Sequence, residues 1–63
     1  MSIYDEAIEM ANQLNPDGRY TGIKKTRRRF FAIPIHLSMY YTLYVVITGS
    51  IVVQIGRDWY KII

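Results

Sequence analysis

Apolar residues near the N-terminus of this 63-residue chain recur every three or four positions: Ile3, Ala7, Met10 and Leu14. This spacing predicts an amphipathic helix within residues 1–15, because side chains at these intervals share one helix face. Ser2 precedes the stripe and is a suitable N-cap. The polar face is acidic, which does not suit an anionic membrane surface. We therefore expect the apolar stripe to dock on a protein partner.

The second half of the chain has a different pattern. From Phe30 to Ile55 there are 26 residues without Asp, Glu, Lys or Arg, and Arg29 and Arg57 flank this run. A helix of that length is about 39 Å long, which is enough to cross a hydrocarbon core of about 30 Å. The sequence thus predicts an all-α fold with one transmembrane helix. The predicted segments are an amphipathic helix (1–15), a basic linker (16–29), the transmembrane helix (30–56) and a short tail (57–63).

Basic side chains are concentrated just before the apolar run. Residues 19–29 carry six of them and no acid. Positive residues beside a membrane span are retained on the cytoplasmic side, so we expect a cytoplasmic N-terminus and a C-terminus on the opposite side. Anionic lipid headgroups would also attract them, whereas nucleic-acid binding lacks a supporting fold here. The residues given this topological and lipid-binding role are Lys24, Lys25, Arg27, Arg28 and Arg29.

Small and β-branched residues follow a regular spacing inside the predicted span. They are Ser38, Thr42, Val45, Gly49, Val52 and Gly56. On a helix these residues would fall on one face, where small side chains let two backbones approach closely. The pattern therefore predicts packing against another transmembrane helix.

The single histidine, His36, would lie within the inner half of the span. An ionisable residue at that depth is a functional candidate. The residue alone favours a structural hydrogen bond to a neighbouring helix, with a haem or chlorophyll ligand and a proton relay as alternatives. Ala32 and His36 form an A-x-x-x-H pair that resembles the pigment-binding motif of bacterial light-harvesting polypeptides. The resemblance implies that His36 would ligate a chlorophyll-type pigment.

Composition excludes several kinds of chemistry. The chain has no cysteine and one histidine, which removes thiol catalysis, iron–sulfur ligation and a structural zinc site built by this chain alone. It also lacks a Ser/His/Asp set, a pair of carboxylates within the span and a Gly-rich phosphate loop. We therefore expect no enzymatic activity, and no cofactor other than a pigment or haem at His36.

These features together predict an accessory subunit of a larger membrane complex, such as an energy-transducing one. Its partners would be integral membrane subunits and anionic lipids, without nucleic acid. A regulatory single-span peptide of a transporter or pump is one alternative function. A light-harvesting-like polypeptide that binds pigment or haem through His36 is another.

Overall fold

A computed structural model describes residues 2–27 and 31–63, which form one helix and a five-stranded antiparallel sheet. The strand order is β1-β5-β4-β3-β2, so β2 to β5 form a meander and β1 lies beside β5. The elements are α1 (Ile3–Leu14), β1 (Ile23–Thr26), β2 (Ala32–Leu37), β3 (Thr42–Val46), β4 (Ile51–Ile55) and β5 (Asp58–Ile62).

The prediction of an all-α fold is wrong. The run at 30–56 that predicts a transmembrane helix instead contains β2, β3 and β4. No helix in the described residues is long and apolar enough to cross a membrane. The predictions of a single-pass topology, of a cytoplasmic N-terminus and of a membrane-complex subunit therefore lose their basis.

The apolar run forms strands because of its residue types and its glycines. Thr42–Val46 reads TLYVV and Ile51–Ile55 reads IVVQI, and β-branched and aromatic side chains suit a pleated, partly buried surface. Gly49 and Gly56 have φ angles of +90° and +64°, which glycine adopts without steric cost and which interrupt a helix. A long run without charges reports burial, but it does not distinguish one helix from consecutive strands.

Both glycines lie in turns of the meander. Gly49 lies in the loop between β3 and β4, where its N–H donates to the carbonyl of Val46 at 2.8 Å. Gly56 follows β4 directly, and Ile55 pairs with Asp58 across the turn. A two-residue turn with positive φ only at its first central residue matches type II′, which fits the right-handed twist of the flanking strands.

Helix α1 packs on one side of the sheet. Ser2 caps it, because the N–H of Asp5 donates to the Ser2 side-chain oxygen at 3.3 Å. Ala7 and Ala11 are fully buried, and their small side chains let the helix approach the strands closely. The core also includes Leu43, Ile51, Val53 and Ile62 of the sheet and Tyr41, which lies just before β3.

The strand register separates the sheet into two faces, since directly paired residues in antiparallel strands project to the same side. The face toward α1, called the inner face, includes the row Lys25–Tyr60–Val53–Leu43–His36. The opposite face, called the outer face, carries two rows that cross all five strands. These rows are Lys24–Lys61–Val52–Tyr44–Pro34 and Thr26–Trp59–Gln54–Thr42–Leu37.

Strands β1 and β2 run in the same direction at opposite edges of the sheet, and five residues separate Thr26 from Ala32.

Candidate functional site

An aromatic pair lies at the centre of the outer face. Tyr44 of β3 and Trp59 of β5 reach toward each other over β4, with ring centroids 4.9 Å apart and an interplanar angle of 40°. The Tyr44 hydroxyl donates a hydrogen bond of 3.1 Å to Oε1 of Gln54. All three side chains are half-buried. The pair is therefore a preformed surface, because its rings are held by a neighbour and by each other.

A small apolar layer supports this pair. Val52 of β4 is only 1% exposed, yet it does not belong to the core formed with α1. Its cross-strand neighbours on the outer face are Tyr44 and Lys61. The outer face thus buries one valine with its own side chains, without help from the helix.

Two lysines flank the aromatic pair at the β1 side of the sheet. Lys24 and Lys61 are direct cross-strand partners on the outer face, where like charges repel each other. The adjacent Lys25 projects to the inner face and lies 3.7 Å from the carboxylate of Asp58. Neighbouring lysines in β1 therefore have opposite electrostatic surroundings.

Acidic side chains are kept away from the outer face. Of the five in the chain, Asp5, Glu6 and Glu9 lie on α1, Asp17 follows the helix, and Asp58 is paired with a lysine of the inner face. None of them belongs to the two outer rows. In the described strands, the outer rows therefore carry two lysines and no acidic side chain.

The six residues of the predicted helix-packing stripe do not share a face. Thr42 and Val52 lie on the outer face, whereas Val45 lies on the inner face. Ser38 is in the loop after β2, and Gly49 and Gly56 are in turns. The prediction of helix packing is wrong, because side chains in a strand alternate with a period of two. Residues three or four apart therefore fall on both faces.

The predicted topology residues are divided as well. Lys24 and Lys25 lie in β1 on opposite faces, and Arg27 follows the strand. Arg28 and Arg29 lie outside the described residues. Without a membrane-spanning helix in the described part of the chain, these residues have no span to orient.

The apolar stripe of α1 packs on the protein's own sheet. Ala7 is buried in the core, and Ile3 and Met10 are partly buried against it. Leu14, in the last turn, is exposed. Ala11, which the predicted stripe does not include, completes the contact instead.

His36 lies on the inner face of β2, at one end of a groove of about 460 Å³ beside α1. Its ring centroid is 6.0 Å from that of Tyr41, and Glu6 also lines this groove. Burial and, to a lesser extent, the negative charge of Glu6 raise the pKa of Tyr41. Within residues 2–27 and 31–63, no group of three His, Cys, Asp or Glu side chains could hold a metal ion.

The positions of Ala32 and His36 in the fold do not support the resemblance to a pigment-binding motif. That motif needs Ala32 and His36 one helical turn apart, but both lie in an edge strand. The register shift between Pro34 and His36 leaves His36 paired with Leu43 of the inner face, while Ala32 pairs with Val46. The prediction of a light-harvesting-like polypeptide is therefore wrong.

Tyr44 and Trp59 are absent from the residues that the sequence singles out. The signal that could have found them is the strand-like composition of TLYVV and DWYKI. In DWYKI a period of two places Trp59 and Lys61 on one face. The comparisons with protein families, curated proteins and solved structures give no match. The outer face itself is therefore the basis for a function.

Proposed function

We propose that this chain binds single-stranded nucleic acid on its outer face. Bases stack on Trp59 and Tyr44, and phosphates are held by Lys24 and Lys61. The observation that carries the proposal is an aromatic pair beside two lysines on a sheet face without acidic residues. Aromatic platforms next to a basic groove bind single strands with little sequence preference, since every base has a stacking face. The proposed role is binding, without a reaction.

The order of side chains across the outer face supports this mode of binding. The lysines belong to β1 and β5, at one edge, whereas the aromatic rings meet over β4. Trp59 and Lys61 are two residues apart on β5, so their Cα atoms are about 7 Å apart on the same face. A strand lying along this edge would have its phosphates on the lysines and its bases turned toward Trp59.

The expected affinity follows from the small number of contacts. Stacking contributes about 1–3 kcal/mol per base, and non-specific complexes have Kd values of about 10⁻⁴–10⁻⁶ M at physiological salt. The proposed complex should therefore be weak, tolerant of sequence and sensitive to salt. Several copies on one long strand would bind more tightly than one copy on a short strand.

Sequence alone predicts no nucleic-acid partner, because the basic segment is taken to lie against a bilayer. That reason for excluding nucleic acid no longer holds, since no described helix can cross a membrane. Anionic lipid headgroups, which the sequence also predicts as partners, could use the lysines, and Trp and Tyr rings also suit a membrane interface. We favour nucleic acid because the ring pair is held in place by a hydrogen bond to Gln54, which suits stacking on bases.

The test is a titration of the full chain with short oligothymidylate at low salt. Trp59 is the only tryptophan, so stacking should quench the intrinsic fluorescence of the protein. Trp59→Leu should weaken binding about 5- to 150-fold, as expected for the loss of one stacked base. Anisotropy of a labelled oligonucleotide measures this variant, and a thermal melt checks its fold.

A matched pair of lysine variants separates the two faces. Lys24→Gln should weaken binding and reduce the dependence of log K on log salt by about 0.7, the value for one phosphate contact on a single strand. Lys25→Gln removes the same charge from the opposite face and should change neither quantity. Equal losses in both variants would show attraction by net charge alone. Binding to anionic vesicles without any binding to oligonucleotide would favour the lipid alternative.

A further inference from the structure

Large apolar side chains are exposed along the β2 edge, on and beside the strand and in the turn after β3. We call them the β2 edge surface: Phe31, Ile33, Ile35, Leu37, Met39, Tyr40 and Ile47. Their exposed fractions run from 38% to 89%. Natural edge strands are usually protected by charged residues, but the sequence from 31 to 56 has no Asp, Glu, Lys or Arg.

The area of this surface is close to what a dimer interface needs. Burying a large apolar side chain contributes about 1.5–3 kcal/mol at about 25 cal/mol per Å², which corresponds to about 60–120 Å² of apolar surface. Weighted by their exposed fractions, the seven residues together expose roughly 450 Å². Homodimer interfaces are about 65% apolar, which implies a patch of about 700 Å². A standard interface buries about 800 Å² on each partner.

The same surface carries both a protruding side chain and a recess. Phe31 is 77% exposed and stands beside an open apolar cleft of about 450 Å³. The other side chains of the cleft include Ile33, Val45 and Ile47. A cavity of about 150 Å³ already accepts a benzene molecule, so an aromatic ring from another molecule fits this cleft.

We infer that a second copy of this chain covers the β2 edge surface through a two-fold contact, in which Phe31 of each copy enters the cleft of the other. A two-fold interface uses one patch on both subunits, so the patch must complement itself. An apolar surface with its own projecting ring and recess meets that condition. The seven residues themselves carry no charge, so a polyanion would gain no ion pair from them.

Strand β2 itself argues for a closed dimer over open-ended strand addition. Pro34 has no N–H to donate to a further strand, and the register shift between Pro34 and His36 interrupts the edge. These features blunt edge-to-edge aggregation. The contact is therefore made by packed side chains, and it does not depend on the proposed nucleic-acid binding.

The oligomeric state of the full chain tests this inference. Sedimentation equilibrium from micromolar to millimolar concentration should show a reversible change from 7.4 kDa to twice that mass. Ile47→Glu should weaken dimerisation about 100-fold or more, because it buries a charge in the contact. Ile63→Glu is the matched control, since Ile63 is 53% exposed and lies outside the β2 edge surface; it should shift the dimer Kd by less than about threefold.

Several results would overturn the inference. These are a monomer at every concentration, a dimer that Ile47→Glu leaves intact, and assemblies that keep growing beyond a dimer. A monomer that binds neutral lipid vesicles through Ile47 would assign the surface to lipid instead. Thermal melts establish that both variants are folded, and Phe31→Asp provides a second break of the same contact should Ile47→Glu unfold.

Discussion

The two faces of the sheet bury their side chains by different means. On the inner face, α1 covers Leu43 and Val53 completely. On the outer face no helix is present among the described residues, and Val52 is buried beside Tyr44 and Lys61 of the same face. The inner face is thus a core, whereas the outer face is a layer of side chains with solvent above it.

This difference separates stability from binding. A core is close-packed, and any change in its volume is costly. A face covered only by its own aromatic and lysine side chains can exchange solvent for a ligand without disturbing that core. Function in this small chain is therefore expected on the sheet side that lacks the helix, as sites commonly lie on a surface supported by a rigid scaffold.

The largest expected effect comes from removing a side chain of the inner face. Leu43→Ala should lower the free energy of unfolding by about 3–5 kcal/mol, because Leu43 is fully buried under α1. Leu37→Ala is the control, since Leu37 is 76% exposed on the outer face; it should change the free energy by about 0.5 kcal/mol or less. Urea unfolding measures both, and similar costs would contradict the division into two faces.

A sharper test uses two adjacent valines that are both buried. Val53→Ala on the inner face should cost about 2 kcal/mol, because the surrounding core cannot close the cavity. Val52→Ala on the outer face should cost about half as much, since the flexible side chain of its cross-strand neighbour Lys61 can move into the space. Should Val52→Ala cost as much as Val53→Ala, the outer layer is packed as rigidly as the core.

The sequence predicts α1 well because its signal is local. The period of Ile3, Ala7 and Met10 and the cap at Ser2 lie within one helix, so no distant partner is needed to interpret them. The packed face nevertheless includes Ala11 and excludes Leu14. Only the position of the sheet decides that detail.

The apolar run is misread because its length satisfies the requirement for a membrane span. Its turns depend on Gly49 and Gly56, and glycine is also common in transmembrane helices. The 3.5-residue spacing of small residues is real in the sequence, but Thr42 and Val45 project to opposite faces of β3. A pattern of small residues is thus weaker information than β-branched and aromatic content.

The outer face could not be assembled from the sequence at all. Lys24 becomes the neighbour of Lys61, and Tyr44 the neighbour of Trp59, only through the register of β1, β3, β4 and β5. One residue of slip in any of these pairings would move every side chain of that strand to the other face. The site is therefore a property of strand pairing, which no local motif encodes.

A pH titration tests the contact between α1 and β5 at the edge of the inner face. The hydroxyl groups of Tyr4 on α1 and Tyr60 on β5 are 3.4 Å apart, and this hydrogen bond, with burial as a lesser cause, raises the pKa of Tyr60 from 10 to about 12. A raised pKa means that the folded state holds the proton more tightly. The associated stability is therefore complete below about pH 10 and is lost as the pH rises to about 12.

Tyr4→Phe removes the hydrogen bond and keeps the ring contact. Phenolate absorbance should then show one tyrosine titrating at lower pH than in the unchanged protein, and the loss of stability should begin nearer pH 10. Tyr40→Phe is the control, because Tyr40 is exposed and has no such bond among the described contacts. No shift in the Tyr4→Phe titration would mean that the helix does not hold this edge of the inner face.

The smallest expected effect has opposite signs on the two faces. Lys24→Gln should raise the free energy of unfolding by about 0.2–0.5 kcal/mol at low salt, because it relieves the repulsion from Lys61. At 1 M salt the gain should disappear, since screening acts over about 3 Å. Lys25→Gln should instead lower the free energy slightly, by about 0–0.5 kcal/mol, through loss of the exposed pair with Asp58.

Comparing these free energies with affinity decides what the lysine pair is for. A residue that costs stability and contributes to binding is the pattern expected of a functional site. If Lys24→Gln stabilises the protein and weakens oligonucleotide binding together, the repulsion across the outer face is maintained for a polyanionic ligand. If Lys24→Gln destabilises the protein, its aliphatic stem contributes more by covering the sheet than its charge costs by repulsion. The two faces would then differ only in how deeply their side chains are covered, and the lysine pair would no longer indicate a functional site.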